Sequence, residues 1–338
     1  MNASFERVSM ALAEPFEIAR GVQTESENVV VELTHEGETG VGAAAPSTHY
    51  GETAATVEAV LPRLFDVLPG DPHDIDAAHA AMDRAVRDNP AAKAAVDIAM
   101  HDLAAKRHDL PLYRHLGLDP SSTPTSSFTV GLASTAEMAR KAEAASDAGH
   151  DVLKLKLGTD RDREIVETLR EAAPDVRLRV DANEAWTPKQ AVRLCRELDG
   201  LVEFVEQPVP AENPEGMRRV TEQSPVPIAA DESLVDPSDV PAVAGIADIA
   251  NVKLMKCGGI RPAVETLHAA RAHGLETMLG CMIESNAAIA AGVQLSPLLD
   301  YADLDGSLLL AEGADPFDGP PVPSLDPTGV AGTGARRN

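Results

Sequence analysis

The chain has 338 residues, 44% of them hydrophobic, with 29 Lys and Arg against 54 Asp and Glu and a formal net charge of −25. Such a length exceeds one small core and fits a domain of about 200–250 residues beside a smaller one. So acidic a surface repels nucleic acid and anionic membranes and excludes both as partners.

Its acid is spread along the chain, as on a surface solvated in a saline (halophilic) cytoplasm, rather than gathered into an interaction tail. Cys195, Cys257 and Cys281 form no close-pair motif. That fits a reducing compartment and gives neither a disulfide framework nor a zinc site. No apolar stretch approaches the roughly 20 residues that cross a bilayer, and Glu6 and Arg7 stand where a signal core would be apolar. The expectation is a soluble cytoplasmic protein.

In chain order, Val29, Val30, Val31 and Leu33, a turn over 36–40, and the apolar residues of 41–45 read as a β-hairpin. The polar stretch 15–27 before it, with Arg20 and Gly21, reads as a loop. From Glu52 to about Leu116 the pattern is helical, clearest from Pro90 through Ala92, Ala95, Val96, Ala99 and Leu103. Gly117 ends it, and the Ser- and Thr-rich segment 121–127 is the join. Residues 1–120 are thus expected to form an α+β capping domain.

Beyond the join, apolar runs predict strands at 128–131, 152–157, 177–180, 202–205, 226–230, 249–254 and 276–279, with another near Tyr301 and helices such as 136–145 between them. Residues 121–305 therefore predict an α/β domain, a TIM-like (β/α)7β barrel with its reactive groups at the C-terminal ends of the strands. Residues 306–338, rich in Pro and Gly, are expected to pack back on the cap.

Lys156, Asp181, Glu206 and Asp231 recur every 25 residues at those strand ends, and Lys253 follows 22 residues later. One strand plus one helix fills such an interval, so these side chains converge at one rim. A single acid after a strand usually caps a helix or forms an ion pair. Three in phase, with no Cys or His among them, are hard oxygen donors for Mg²⁺, or Mn²⁺ in its place.

Only eight of the 29 basic residues are lysines, and Lys154, Lys156 and Lys253 lie inside predicted strands, where an ammonium is costly to bury. Lys154 and Lys156, two apart, point to the same side. Their mutual repulsion, with a cation nearby, predicts a lowered pKa for Lys156. Lys253, four strands on, faces the cation from the opposite side. Lys256 reads as a loop charge.

The motifs K-L-K at Lys154 to Lys156, D-A-N from Asp181, E-Q-P from Glu206, D-E-S from Asp231, N-V-K-L-M-K-C-G-G from Asn251 and F-E-I-A-R-G from Phe16 span most of the chain. With them the sequence resembles the enolase superfamily, in its muconate-lactonising subgroup and closest to the dipeptide epimerases of the L-Ala-D/L-Glu type. The resemblance implies a Mg²⁺-dependent reaction in which one of Lys156 and Lys253 removes the proton beside a carboxylate and the other returns it, through an enediolate. It also implies that Asn183 and Glu232 orient ligands or lysines. Asp303 and Asp305 correspond to a D-x-D pair that holds a substrate ammonium, and Arg20 to a residue that pairs with an acidic substrate side chain. Glu284 is expected to line the pocket, with the loop at Tyr50, Gly51 and Glu52 closing it. A dipeptide is the implied partner, and a homo-oligomer is compatible with such barrels.

Three alternatives remain open at this stage. A cycloisomerase or o-succinylbenzoate synthase would use one lysine base on a substrate lacking an amine. A Schiff-base aldolase would need a lysine of low pKa but no metal. A binding protein would have no use for both lysines and three carboxylates.

Overall fold

Three antiparallel strands open the chain in a computed structural model that describes residues 1–338: β1 (Asn2–Ile18), β2 (Gly21–His35) and β3 (Glu38–Ala44). Residues 15–27 are therefore not the expected loop. They continue the β1–β2 hairpin, which turns only at Ala19 and Arg20, with Gly21 at φ +147°. Most of that stretch is exposed, so its strand residues need not be apolar, and a register shift between Ala11 and Phe16 accommodates Pro15.

Helices α1 (Ala54–Phe65), α2 (Ile75–Ala85), α3 (Pro90–Lys106) and α4 (Leu112–His115) follow. Helix α3 is buried almost all round, as an Ala-rich helix can be when other elements approach its backbone closely. The sheet meets it at Gly40 and Gly42; a Cβ on Gly42 would lie 2.2 Å from the Ala95 carbonyl oxygen.

The rest of the chain alternates: β4 (Phe128–Val130), α5 (Thr135–Asp147), β5 (Val152–Lys156), α6 (Asp162–Ala172), β6 (Arg177–Asp181), α7 (Pro188–Glu197), β7 (Val205–Glu206), α8 (Pro214–Gln223), β8 (Ile228–Ala230), α9 (Val240–Val243), β9 (Ile249–Lys253), α10 (Leu254–Cys257), α11 (Ile260–Ala272), β10 (Glu276–Gly280), α12 (Asn286–Gln294) and β11 (Tyr301–Asp303). The eight strands β4 to β11 are parallel, each beside its sequence neighbour. Ser127 N donates to Ala302 O at 3.1 Å and closes the ring. This is the TIM-like barrel that the alternation predicts. Helices cover such strands on the outside, which is why they stand out as apolar runs.

The register sets the rim. Lys156 pairs with Asp181 and Asp181 with Glu206, while Gly280 lies between Lys253 and Asp303. At the opposite end the barrel is filled by Phe204, Ile249, Met278 and Tyr301. The buried Arg179 guanidinium lies 5.3 Å from the Phe204 ring centroid and 5.2 Å from that of Tyr301, and Arg179 Nη1 donates to Ala302 O at 2.9 Å.

Two short strands, β12 (Phe317–Asp318) and β13 (Arg336–Arg337), pair near the C-terminus. Asp102 of α3 accepts bonds from Thr333 N (2.7 Å), Val41 N (2.9 Å) and Lys106 Nζ (2.6 Å), joining the tail to β3 and α3. One continuous apolar core runs from Val29 and Ile98 to Leu155, Val180 and Leu279. No helix is long and apolar enough to cross a membrane.

Candidate active site

At the barrel's C-terminal rim, charges meet in two tiers. In the lower, Lys154 Nζ lies 2.7 Å from Asp303, 2.8 Å from Glu206 and 3.1 Å from Asp181. Burial alone would lower this lysine, but Asp303, Glu206 and Asp181 outweigh it and hold Lys154 well above its ordinary pKa. Asn251, also buried, donates to Glu206 Oε1 at 2.9 Å.

In the upper tier, Lys156 Nζ donates to Asp181 Oδ2 at 2.7 Å, and across the ring Lys253 Nζ donates to Asp231 Oδ2 at 2.7 Å. Asp181 Oδ2 is near both Lys156 and Lys154, so a carboxylate offsets the repulsion expected between those ammoniums. Lys253 is likewise raised: burial lowers it, and Asp231 prevails.

The three carboxylates differ sharply. Burial pushes each up, yet Lys156 and Lys154 hold Asp181 low, and Lys253 and Lys256 hold Asp231 far lower. Glu206 rises to about 8, through burial and then the negative charge of Asp181. Its Oε2 atom lies 2.8 Å from Lys154 Nζ but in no hydrogen-bonding geometry, and Asn183 Oδ1, Asn251 Oδ1 and Glu232 Oε2 are also buried without donors. No three acidic, His or Cys side chains are gathered at metal-binding spacing, and Lys156 and Lys253 each hold one carboxylate on opposite sides of the ring. In donor type the set fits Mg²⁺: three carboxylates and undonated buried oxygens, with no sulfur or imidazole among them.

The backbone at these strand ends is held in sparsely populated conformations. Asn183, Glu184 and Gln207 all have positive φ. Gln207 Oε1 accepts from Asp231 N at 2.9 Å, which ties the end of β7 to the residue after β8.

A cavity of about 540 Å³ opens above this rim and is lined by Lys154, Lys156, Lys253, Asn183, Asp303 and Asp305. The β1–β2 hairpin covers one side through Phe16, Ile18 and Arg20. Arg20 Nη1 donates to Glu232 Oε1 at 2.6 Å and lies 3.2 Å from Glu184 Oε2, so its charge is matched here by the chain's own acids. Asn183 Nδ2 reaches Glu232 Oε1 at 3.4 Å. Asp303 Oδ1 accepts from Ser127 Oγ at 2.6 Å, and Asp305 Oδ2 accepts from Thr129 N at 2.5 Å. Burial, then Asp303, pushes Asp305 up to about 7.

Two expectations need correction, and a third holds for part of its loop. Glu284 does not line the cavity; its Oε1 turns back to accept from Met282 N at 2.7 Å, and Cys281, Met282 and Ile283 form the wall instead. In the loop over Tyr50, Gly51 and Glu52, the buried Glu52 carboxylate turns away to accept from Ala91 N at 2.9 Å and cap α3, whereas Tyr50, in one turn with the cavity-lining Thr48 and His49, lies near enough to Asp231 and Lys253 to feel their charges. Lys256 is no loop charge: it lies on α10, 1% exposed, with Nζ 2.6 Å from Asp231 Oδ1.

No sequence pattern assigns a role to Asn251, Gln207, Ser127 or Thr129. For Asn251 a signal was present, since it precedes Lys253 by two on one strand and therefore shares its face. For Ser127 and Thr129 the bonds to Asp303 and Asp305 span 176 residues, which no local pattern reveals.

Burial pushes Glu284 up to about 7 from an ordinary 4.5, so folded Glu284 keeps its proton across a window where the unfolded chain has lost it. That contribution is full below pH 4.5 and is lost as pH rises towards 7. We expect Glu284→Gln, which cannot ionise, to give a flatter Tm profile between about pH 5 and 7, with a difference on the order of 2 kcal/mol at neutrality. Parallel profiles for variant and parent would show that Glu284 does not titrate in this way.

Residues 2–117 match the model of the mandelate racemase / muconate lactonizing enzyme N-terminal domain, and residues 137–324 match the enolase C-terminal domain-like model. An L-Ala-D/L-Glu epimerase of Bacteroides thetaiotaomicron is 38% identical over 322 residues, covering 94% of this chain and 83% of that protein. A hydrophobic dipeptide epimerase of Enterococcus faecalis is 39% identical over 311 residues, covering 88% and 87%. The solved dipeptide epimerase of Enterococcus faecalis V583, complexed with Mg and the dipeptide L-Leu-L-Tyr, superposes with a TM-score of 0.93 at 36% identity, over 98% of each chain. Barrel, cap and sequence agree: the chain belongs to the mandelate racemase / muconate lactonizing enzyme family of enolase-like proteins.

Proposed function

We propose that this protein is a Mg²⁺-dependent epimerase of dipeptides, inverting the carbon beside the substrate's carboxylate, with Lys156 and Lys253 as its two acid–base groups. The observation that carries this reading is their opposition. They stand four strands apart on an eight-stranded barrel, line one cavity, and each donates to its own carboxylate at 2.7 Å. Inversion needs a group on each face of the reacting carbon: a neutral amine that accepts the proton and an ammonium that returns one.

Asp181, Glu206 and Asp231 would hold the cation. When bound, it supplies positive charge where negative charge develops as the proton leaves. Asn183 and Glu232 steady Arg20 at the mouth, and Asp303 and Asp305 receive the dipeptide's free ammonium. That last contact disfavours a cycloisomerase, whose substrate has no amine to offer. Arg20 faces the second residue's side chain, for which we propose an acidic group after a small first residue. The relatives are named for acidic and for hydrophobic dipeptides alike, so the choice falls to experiment. A dipeptide library in D₂O with Mg²⁺, read by mass, should gain one deuterium, fastest where the second residue is acidic. No gain with any dipeptide would overturn the reading; gain only with apolar second residues would overturn the assignment of Arg20.

A further inference from the structure

A second cavity, of about 330 Å³, lies where the cap meets the barrel and has no part in the proposed reaction. Its walls come from β1, β4, α5 and the turn Gly306–Leu309: Phe16, Phe128, Leu308 and Leu309 face it, with Ala144 and Ala148 on the helix side. Leu308 is 40% exposed and, with Phe5 and Val22, one of only three large apolar side chains that the chain leaves open to water. An apolar hollow of this size at a domain junction is a usual setting for a small-molecule site.

One charge at its rim is left over. Glu14 lies 2.6 Å from Lys141 Nζ, and that bond holds its carboxyl below the ordinary pKa, while Arg140 acts on it only from a distance. Burial lowers His150, whose ring packs on Phe128 with 4.6 Å between centroids, so it lines the cavity as a neutral imidazole at neutral pH. Arg140 is exposed and makes no ion pair of its own. An unpaired guanidinium beside apolar walls matches one carboxylate on an apolar body.

Phe16, Thr129 and Leu309 also line the active cavity, so the two cavities share a wall. The hairpin is tied to this end of β4 by Leu132 N, which donates to Glu17 O at 2.8 Å, and by Phe16, which packs so close to Gly131 that a Cβ there would lie 3.1 Å from its ring. Between β1 and α5 runs the Lys141–Glu14 pair, with the hollow beside it. We propose that this hollow is a second ligand site, taking a small monocarboxylate with an unbranched apolar chain, its head on Arg140 and its chain along Phe16, Phe128 and Leu308. Bound there, the acid bridges β1 to α5 and braces the shared wall from behind.

The probe is octanoate. Calorimetry should show it binding to the parent, with affinity rising about tenfold for each two methylenes from butanoate to octanoate as more chain is buried. Amides of residues 13–18 should then exchange with deuterium severalfold more slowly. Arg140→Gln should weaken binding at least fivefold, and Ala144→Phe, which puts a ring into the hollow, at least tenfold; both positions are exposed, so neither change disturbs the core. Parent-like affinity in either variant would overturn the proposal, since an acid held instead by the lysines of the active cavity would keep its affinity in both. Absence of binding, unchanged exchange over 13–18, or equal protection by octylammonium, of the same length and opposite charge, would also overturn it. These readouts need neither Mg²⁺ nor dipeptide, so the site stands or falls apart from the epimerase reading.

Discussion

Lys253→Ala should lose epimerisation by about 10²–10⁴-fold, the usual contribution of a positioned acid–base group, while still exchanging the α-proton of one epimer for deuterium. The asymmetry follows from the barrel. Lys156 remains on its own side, 2.7 Å from Asp181, and can remove and restore a proton on that face alone. Lys156→Ala should give the mirror result with the other epimer. Mass spectrometry of each separate epimer in D₂O reads both outcomes. If Lys253→Ala epimerises as fast as the parent, the two-base scheme is wrong; if it exchanges both epimers, a second group serves the Lys253 face.

The second large effect is on stability. Lys154 is 1% exposed and holds together Asp303, Glu206 and Asp181, all within 3.1 Å. Removing one partner of a buried ion cluster costs about 3–5 kcal/mol, because the remaining charges keep their desolvation and lose their attraction. Lys154→Met, close in length and uncharged, should unfold at markedly lower denaturant than the parent. Mg²⁺ should return part of the loss, by about 2.7 kcal/mol at a hundred times its Kd, since Asp181 and Glu206, two of the three acids that Lys154 balances, are among the residues that would hold it. A variant as stable as the parent without Mg²⁺ would show that Lys154 does not balance these carboxylates.

The sequence made the barrel legible because parallel strands covered by helices are apolar along their length, as with Ile228 to Ala230, and because one strand and one helix fill a near-constant interval. That interval also placed Lys156, Asp181 and Glu206 as adjacent partners, which the register bears out. The hairpin from Pro15 onward was misread for the converse reason: at Gln23, Thr24 and Glu25 the strand is exposed and polar, so it carries no apolar alternation. Lys256 reads as a loop charge because its burial depends on one helical turn and a left-handed Gly258, neither visible as periodicity. Glu284 was placed near the right wall, but whether a side chain faces a cavity or its own backbone is decided by rotamer, here by the bond to Met282 N.

The floor of the barrel has a kinetic meaning. With Arg179 laid over the rings of Phe204 and Tyr301, which also pack on each other, the far end of the barrel is filled, and either epimer must come and go at the rim, where the cavity lies beside Arg20. Whatever contact there speeds the arrival of one hand also governs its departure, so the protein itself sets only how fast the two forms equilibrate. Net flow in either direction must be imposed from outside, by whichever reaction withdraws one of the pair.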